Sequence, residues 1–307
     1  MPRATADSIL FLDEIQGAPP AIAALRYCYE ERGELAVIAA GSLMEFALAE
    51  RRLAMPVGRV RYLHMGPMVF TEFLGALGET GLKEAILAYA PGADLGPVVH
   101  KRLLEVLRRY YFAGGMPAAV DVLARTGNLN EVTAVHNDLI ATYRDDFQKY
   151  ARSRDLARLQ HVLELAARNV GTKVKYSNVM RDAHSSTVRQ DIELLSMARV
   201  VSKVLHTHEG RSSNAKVDFV VAIEGRIVPI EVKAGARGSL RSLHQFAAEK
   251  HVPLAVRFDT NPPSRQTVAA TVQTAAGAAR VEYELVSLPL YLIERTADVV
   301  SAIGAGR

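Results

Sequence analysis

Tryptophan is absent from the 307 residues, aromatic residues of all kinds make up only 7%, and cysteine occurs once, as Cys28. A single thiol excludes an internal disulfide framework and any cysteine-rich zinc site. It fits a reducing, cytoplasmic location. No run approaches the roughly 18 apolar residues that a membrane-spanning helix needs. The opening MPRATADSILFLDEIQ has only a short apolar stretch, broken by Asp13 and Glu14, and does not read as a secretory signal. No sign of charge dominates: the net charge of +4 permits contact with nucleic acid without demanding it. There is no internal repeat, and AATVQTAAGAA near residue 270 is the nearest approach to low complexity. What is present is an ordinary globular mixture, 49% hydrophobic and 23% charged, which offers enough apolar surface to offset chain entropy. The length predicts about two domains.

Along the chain, residues 8–13 (SILFLD) and 35–40 (LAVIAA) are continuous apolar runs. Such runs predict buried strands of a parallel sheet covered on both faces. Helices are expected at 20–31 and 42–50, and a third short strand at 60–64. From about Thr71 to Arg168 the pattern is helical, punctuated at Pro91-Gly92 and Gly114-Gly115-Met116-Pro117. Helices are expected at 160–169, 176–183 and 185–198, the last with Ser185 as N-cap, followed by a β run at 199–205. That is the outline of a winged helix-turn-helix. VDFVVAI (217–223) and IVPIEVK (227–233) flank Glu224-Gly225-Arg226 and read as a hairpin. A helix at 240–250 and strands at 253–258 and 283–287, with a polar loop between these strands, complete an α/β C-terminus.

Asp13 and Glu14 stand where an apolar strand ends. In nucleotide hydrolases an Asp at this place binds Mg²⁺ and a Glu polarises the attacking water. The bland alternative is a strand running into a solvated turn. Gly41-Ser42 ends the next run and could bring a hydroxyl beside a γ-phosphate; Arg59 could stabilise phosphate charge. In this order LDEIQ, AAGS, the Gly58-Arg59 pair and PMVFTEFL resemble the AAA-type ATPase family of bacteria and archaea, with LDEIQ as its Walker B signature. The resemblance implies a partial P-loop NTPase sheet, ATP and Mg²⁺ as cofactors, Asp13 and Glu14 as catalytic residues, and Ser42 and Arg59 as nucleotide-binding residues. The P-loop pattern G-x-x-x-x-G-K-[ST] does not occur in the 307 residues. The reading is of an N-terminally truncated, catalytically inactive copy.

GGMPAAV (114–120), Tyr143-Arg144-Asp145-Asp146, IEVKAG and LPLYLI resemble the C-terminal domain of unknown function that is fused to these ATPases. Within it, Asp218, Glu231 and Lys233 resemble the PD-(D/E)xK nuclease motif. Glu231 and Lys233, two apart on one strand, share a face. Asp218 lies on the partner strand and is expected to converge with them. Two carboxylates can bind Mg²⁺ while a Lys aligns water. The alternative is an Asp–Glu–Lys cluster kept as a structural relic. Only HTHEGRSSNAK separates Leu205 from the hairpin, too little for the acidic helix that nuclease folds carry, so an internal segment reads as lost and the site as inactive.

Arg168, Lys173, Lys175, Arg181 and Arg189 could meet DNA phosphates, with Ser186, Thr187 and Gln190 reaching a groove; a solvated protein-docking face is the alternative. His206 and His208 alternate without a third ligand, and Cys28 reads as core. The expected organisation is 1–75 partial ATPase, 76–158 helical, 159–208 winged helix, 209–295 restriction-endonuclease-like α/β, and 296–307 tail. Three functions remain open: a degraded ATPase with a nuclease-like domain, a non-catalytic DNA- or protein-binding module, and a metal-dependent nuclease.

Overall fold

The computed structural model describes residues 8–41, 58–150, 156–172, 174–180, 183–204, 217–233, 235, 239–274 and 277–305. The chain divides into two compact units, Met1–Met65 with Ile140–His206, and Gly66–Leu139 with Thr207–Arg307.

In the first unit, strands β1 (Ile9–Leu12) and β2 (Ala36–Ala39) pair in parallel. The helix Pro19–Glu31 joins them and opens on proline, whose fixed φ suits a first helical turn. Alternation sorts the side chains. Leu12, Val37 and Ala39 pack beneath the helix with Ile15, Ile22 and Leu25. Ile9, Phe11 and Ile38 point the other way and are 67%, 58% and 51% exposed. The expectation of strands buried on both faces is therefore corrected: among the described residues one crossover helix covers one face and the other is exposed. Cys28 is half-buried rather than core. The third strand expected at 60–64 carries no ladder; Tyr62 instead stacks on His64. The helix expected at 42–50 lies outside the described residues.

The rest of this unit holds helices Leu156–Arg168, Tyr176–Val179 and Ser185–Met197, the second shorter than expected. Leu159, Val162, Val188, Ile192 and Leu195 interlock around Phe147. Arg158 Nε donates to Asp191 Oδ2 at 2.7 Å, and Asp191 is 1% exposed, so a buried ion pair ties the first helix to the third. His184, not Ser185, is the residue before the third helix. The strand expected at 199–205 is absent over residues 199–204, and Leu205 lies outside the described residues. The cause is a helix cap. Arg199 takes a left-handed φ of 56° and the Val200 N–H reaches back to Leu195 O, which folds Val200 and Val201 onto the helical core.

The second unit joins helices to a mixed sheet. Helices Phe70–Ala76, Thr80–Leu87, Pro97–Ala113 and Pro117–Thr126, with the start of Leu129–Tyr150, share a core with Leu290–Arg295, the helix Thr296–Ala305 and one face of strands β3 (Phe219–Ile223), β4 (Arg226–Val232), β5 (Leu254–Asp259) and β7 (Gly277–Pro289); β6 (Ser264–Thr274) completes the sheet. The strand order is β3-β4-β5-β7-β6. β3–β4 and β6–β7 are antiparallel, while β4–β5 and β5–β7 are parallel. The β3–β4 turn places Glu224 and Gly225 at φ 51° and 75°, the left-handed pair that a two-residue hairpin favours. Phe73, Leu74, Leu103 and Val120 share one core with Val228, Ile230, Val256, Phe258, Val286 and Leu288. The helix Arg241–Lys250 covers the other face through Leu243 and Ala247, against Ala255, Tyr283 and Leu285. The polar loop expected before residue 283 is corrected: that stretch is β6 and the first half of β7, and the low-complexity tract lies largely in them.

Candidate functional site

In the first unit, Asp13 and Glu14 follow β1 directly, at the carboxyl end of the parallel pair, where ligands of open α/β sheets bind. Glu14 adopts a left-handed conformation, φ 47° and ψ 43°. The Asp13 carboxylate accepts the Glu14 N–H at 3.0 Å, and the Gln16 amide donates to the Glu14 carboxylate. The next N–H, of Ile15, donates to Ala40 O, which binds this turn to the end of β2. Ser42 lies outside the described residues. Arg59 does not join the acids. Its Nε donates to Glu30 Oε1 at 2.7 Å, and Glu30 sits in the last turn of the helix that returns to the start of β2. The strand ends and that helix end are opposite poles of a β–α–β unit, so Arg59 is held away from the expected phosphate position. Burial alone would raise the Glu30 carboxyl, but hydrogen bonds from Arg26 and Arg59 outweigh it and hold the group below the usual range.

In the second unit, Glu231 and Lys233 project from β4 to the face that the helix Arg241–Lys250 covers, and their side chains are in contact. The sheet register places Arg257 on β5 beside Glu231, and Ser287 on β7 beside Arg257. One step on, the Lys233 N–H donates to Phe258 O, which brings Asp259 next to Lys233. Glu231-x-Lys233 on one strand is thus mirrored by Arg257-x-Asp259 on the next. The two acids and two bases form a checkerboard of alternating charge. Arg257 Nε lies 2.9 Å from Asp259 Oδ2, close enough for an ion pair but without hydrogen-bond alignment. Glu231 is 5% exposed and Asp259 2%. Glu231 Oε2, Asp259 Oδ2 and Ser287 Oγ are buried without a hydrogen-bond partner.

Asp218 takes the register position expected of it and also meets the backbone. Phe219 pairs with Ile230, so Asp218 stands opposite Glu231, yet its Oδ2 accepts the Val232 N–H at 2.8 Å. The carboxylate closes the open end of the hairpin and remains exposed. A divalent cation does not fit this arrangement well. Lys233 already neutralises Glu231, Arg257 stands beside it, and one Asp218 oxygen is taken by the backbone. No group of three or more His, Cys, Asp or Glu residues is arranged to hold a metal among the described residues. Arg257 and Asp259 were not singled out in the sequence, although Arg-x-Asp at the strand period of two was there to be read.

In the three-helix module, Ser185, Ser186, Arg189 and Gln190 are exposed along one face of the helix Ser185–Met197. They line a shallow concavity with Tyr176 and Glu193. Lys175 is exposed just before the helix Tyr176–Val179, and Arg168 ends the first helix. Arg189 lies 3.8 Å from Glu193, and Lys203 meets Glu193 at 2.7 Å and draws its carboxyl below the usual range. Lys173, Arg181, His206 and His208 lie outside the described residues.

Two comparisons with known families bear on these sites. Residues 2–74 match the family described as AAA domain, and residues 104–220 match a Domain of unknown function (DUF8612). The N-terminal region, with its acid-tipped β–α–β unit, is therefore AAA-type ATPase-like, a family that uses nucleotide and Mg²⁺. Neither the curated proteins nor the solved structures contain a match to the chain. No described helix is long and apolar enough to cross a membrane.

Proposed function

We propose that residues 1–307 act without ATP or metal chemistry, as an AAA-ATPase-like and nuclease-like scaffold that presents its three-helix module to DNA. The observation that carries the reading is the neutral checkerboard of Glu231, Lys233, Arg257 and Asp259. A PD-(D/E)xK site needs a carboxylate pair open to Mg²⁺ and a lysine free to align water. Here the charges are balanced within the sheet and the acids are buried, which supports a structural role. The same reading covers the N-terminal acids. Among the described residues Asp13 and Glu14 meet no cation side chain in their turn, and Arg59 is committed to Glu30 rather than to a phosphate beside them.

DNA is the partner favoured by the exposed Ser185, Ser186, Arg189 and Gln190 on one helical face. Hydroxyl, amide and guanidinium groups are the types that meet phosphate and base edges. With few cations the contact is weak and mainly to phosphate, so its affinity falls as salt rises. Three measurements on the purified chain test the proposal. ATP turnover and Mg²⁺- or Mn²⁺-dependent DNA cleavage are both expected to be absent; cleavage lost in Glu231→Ala, or turnover lost in Glu14→Gln, overturns the non-catalytic reading. Duplex binding is expected to be salt-sensitive and weakened several-fold by Arg189→Ala. Binding unchanged by that substitution overturns the role of the module.

A further inference from the structure

Each edge of the five-stranded sheet carries a row of backbone N–H and C=O groups able to template another strand. Folded proteins blunt such rows with brevity, charge, proline or a bulge. One edge is blunted. β3 is five residues long, follows Asp218 and ends at Glu224. The other edge is not. β6 runs for eleven residues in unbroken register against β7, without a bulge. From Gln266 to Thr274 its sequence, QTVAATVQT, holds no charge and no proline. The one charge in the strand, Arg265, lies near its start and is paired with Glu284. Its residues are also sorted by face: Val268 and Ala270 pack under the helix Arg241–Lys250, while Thr267, Ala269, Thr271 and Gln273 are exposed.

We infer that the outer edge of β6 pairs antiparallel with β6 of a second copy of this chain, about a two-fold axis at Ala270, so that one sheet continues across a dimer. An isologous contact brings the same strand against itself. Partners across the axis share a face only when their numbers differ by an even step. Centred on Ala270, Val268 meets Val272, Thr267 meets Gln273, and Ala269 meets Thr271. Apolar side chains meet on the helix-covered side and polar ones on the open side, with a small residue on the axis. From Gln266 to Thr274 no charge meets its own image. This self-complementarity is what selects a second copy over a foreign strand, since the edge offers no charge by which to choose one. The inference is independent of the non-catalytic reading and stands or falls without it.

Light scattering on the full chain over a range of concentrations tests it. The wild type is expected to reach dimer mass. Thr271 is exposed, so Thr271→Lys and Thr271→Glu leave the fold intact by circular dichroism. Each is expected to raise the dissociation constant at least about tenfold, because like charges gather near the axis. An equimolar mixture of the two variants regains dimer. A wild type that stays monomeric overturns the inference. So does a folded Thr271→Lys protein that dimerises as the wild type does, or a mixture of folded variants that recovers nothing.

Discussion

The Met68 N–H donates to the Gly115 carbonyl at 2.6 Å, and the approach is so close that a Cβ on Gly115 would stand 2.1 Å from Met68 O. Tyr110 fixes the same carbonyl of Met68 from its hydroxyl, at 2.9 Å. Two sequence signatures, PMVFTEFL and GGMPAAV, are thus two sides of one backbone contact. Gly115→Ala forces the two segments of this contact apart, because backbone atoms cannot yield as a side-chain tip can. The expected cost is about 2–4 kcal/mol, read as a lower midpoint in urea with an unchanged slope. A loss under about 0.5 kcal/mol would show that the segments separate freely.

Glu294 caps the helix Phe70–Ala76 from far along the chain. Its carboxylate accepts the Thr71 N–H at 3.0 Å and the Thr71 hydroxyl at 2.6 Å, while Glu72 caps the Val69 N–H at 2.9 Å. Val69, the N-cap residue, has no side-chain oxygen, so the cap has to come from elsewhere. Glu294→Ala is expected to destabilise by about 1–3 kcal/mol, the range for a hydrogen-bonded charged group. Glu294→Gln, which keeps an acceptor, should recover part of it. Chemical denaturation of the three proteins compares them.

His244 Nδ1 lies 2.8 Å from the Tyr283 hydroxyl. Burial lowers the histidine below its ordinary value and pushes the tyrosine up to about 12. The pair shares this hydrogen bond with Tyr283 protonated and the imidazole neutral. The unfolded chain takes up a proton near pH 6.5, and the folded chain does so only at lower pH. Between those values the unfolded state binds more protons, so stability is lost as pH falls below about 6.5 and levels off under the folded pKa. His244→Phe should flatten that part of a stability–pH curve. A slope unchanged by the substitution would assign it to another group.

Arg257 takes the position beside Glu231 where a cation would be needed. Arg257→Gln removes the ion pair with the buried Asp259 and is expected to destabilise by about 3–5 kcal/mol. It also leaves Glu231 and Asp259 short of positive charge. Millimolar Mn²⁺ should then return about 1 kcal/mol of stability to the variant by mass action, and none to the wild type. Thermal unfolding with and without Mn²⁺ reads the difference, and equal Mn²⁺ stabilisation of both proteins refutes it.

Much of the scaffold was legible where apolar runs were long or sharply bounded. LAVIAA became β2, and the EG turn with its flanking runs became the β3–β4 hairpin, because β-branched residues crowd the runs and the turn bounds them sharply. β6 was not legible, since alternating Thr, Ala and Val beside Gln is too weak an apolar signal to distinguish a half-exposed strand from a polar loop. Val200 and Val201 misled in the opposite sense: their β preference yielded to a helix cap that buried them. For the candidate sites, period two placed Glu231 and Lys233 on one face. The diversion of Asp218 to Val232 and of Arg59 to Glu30 depended on partners that are distant in sequence, and no local pattern announces them.

The second unit draws its larger core from residues 66–139 and from strands that come eighty or more residues later, and its first helix is capped by Glu294. During synthesis, at about 5–20 residues per second, the apolar faces around Phe73 and Leu103 therefore emerge well before the sheet that covers them, a delay on the order of ten seconds. The order of translation predicts that this half of the protein, while unfinished, is held by a chaperone. It also predicts that a ribosome stalled before β5 leaves a sticky helical intermediate rather than a folded domain.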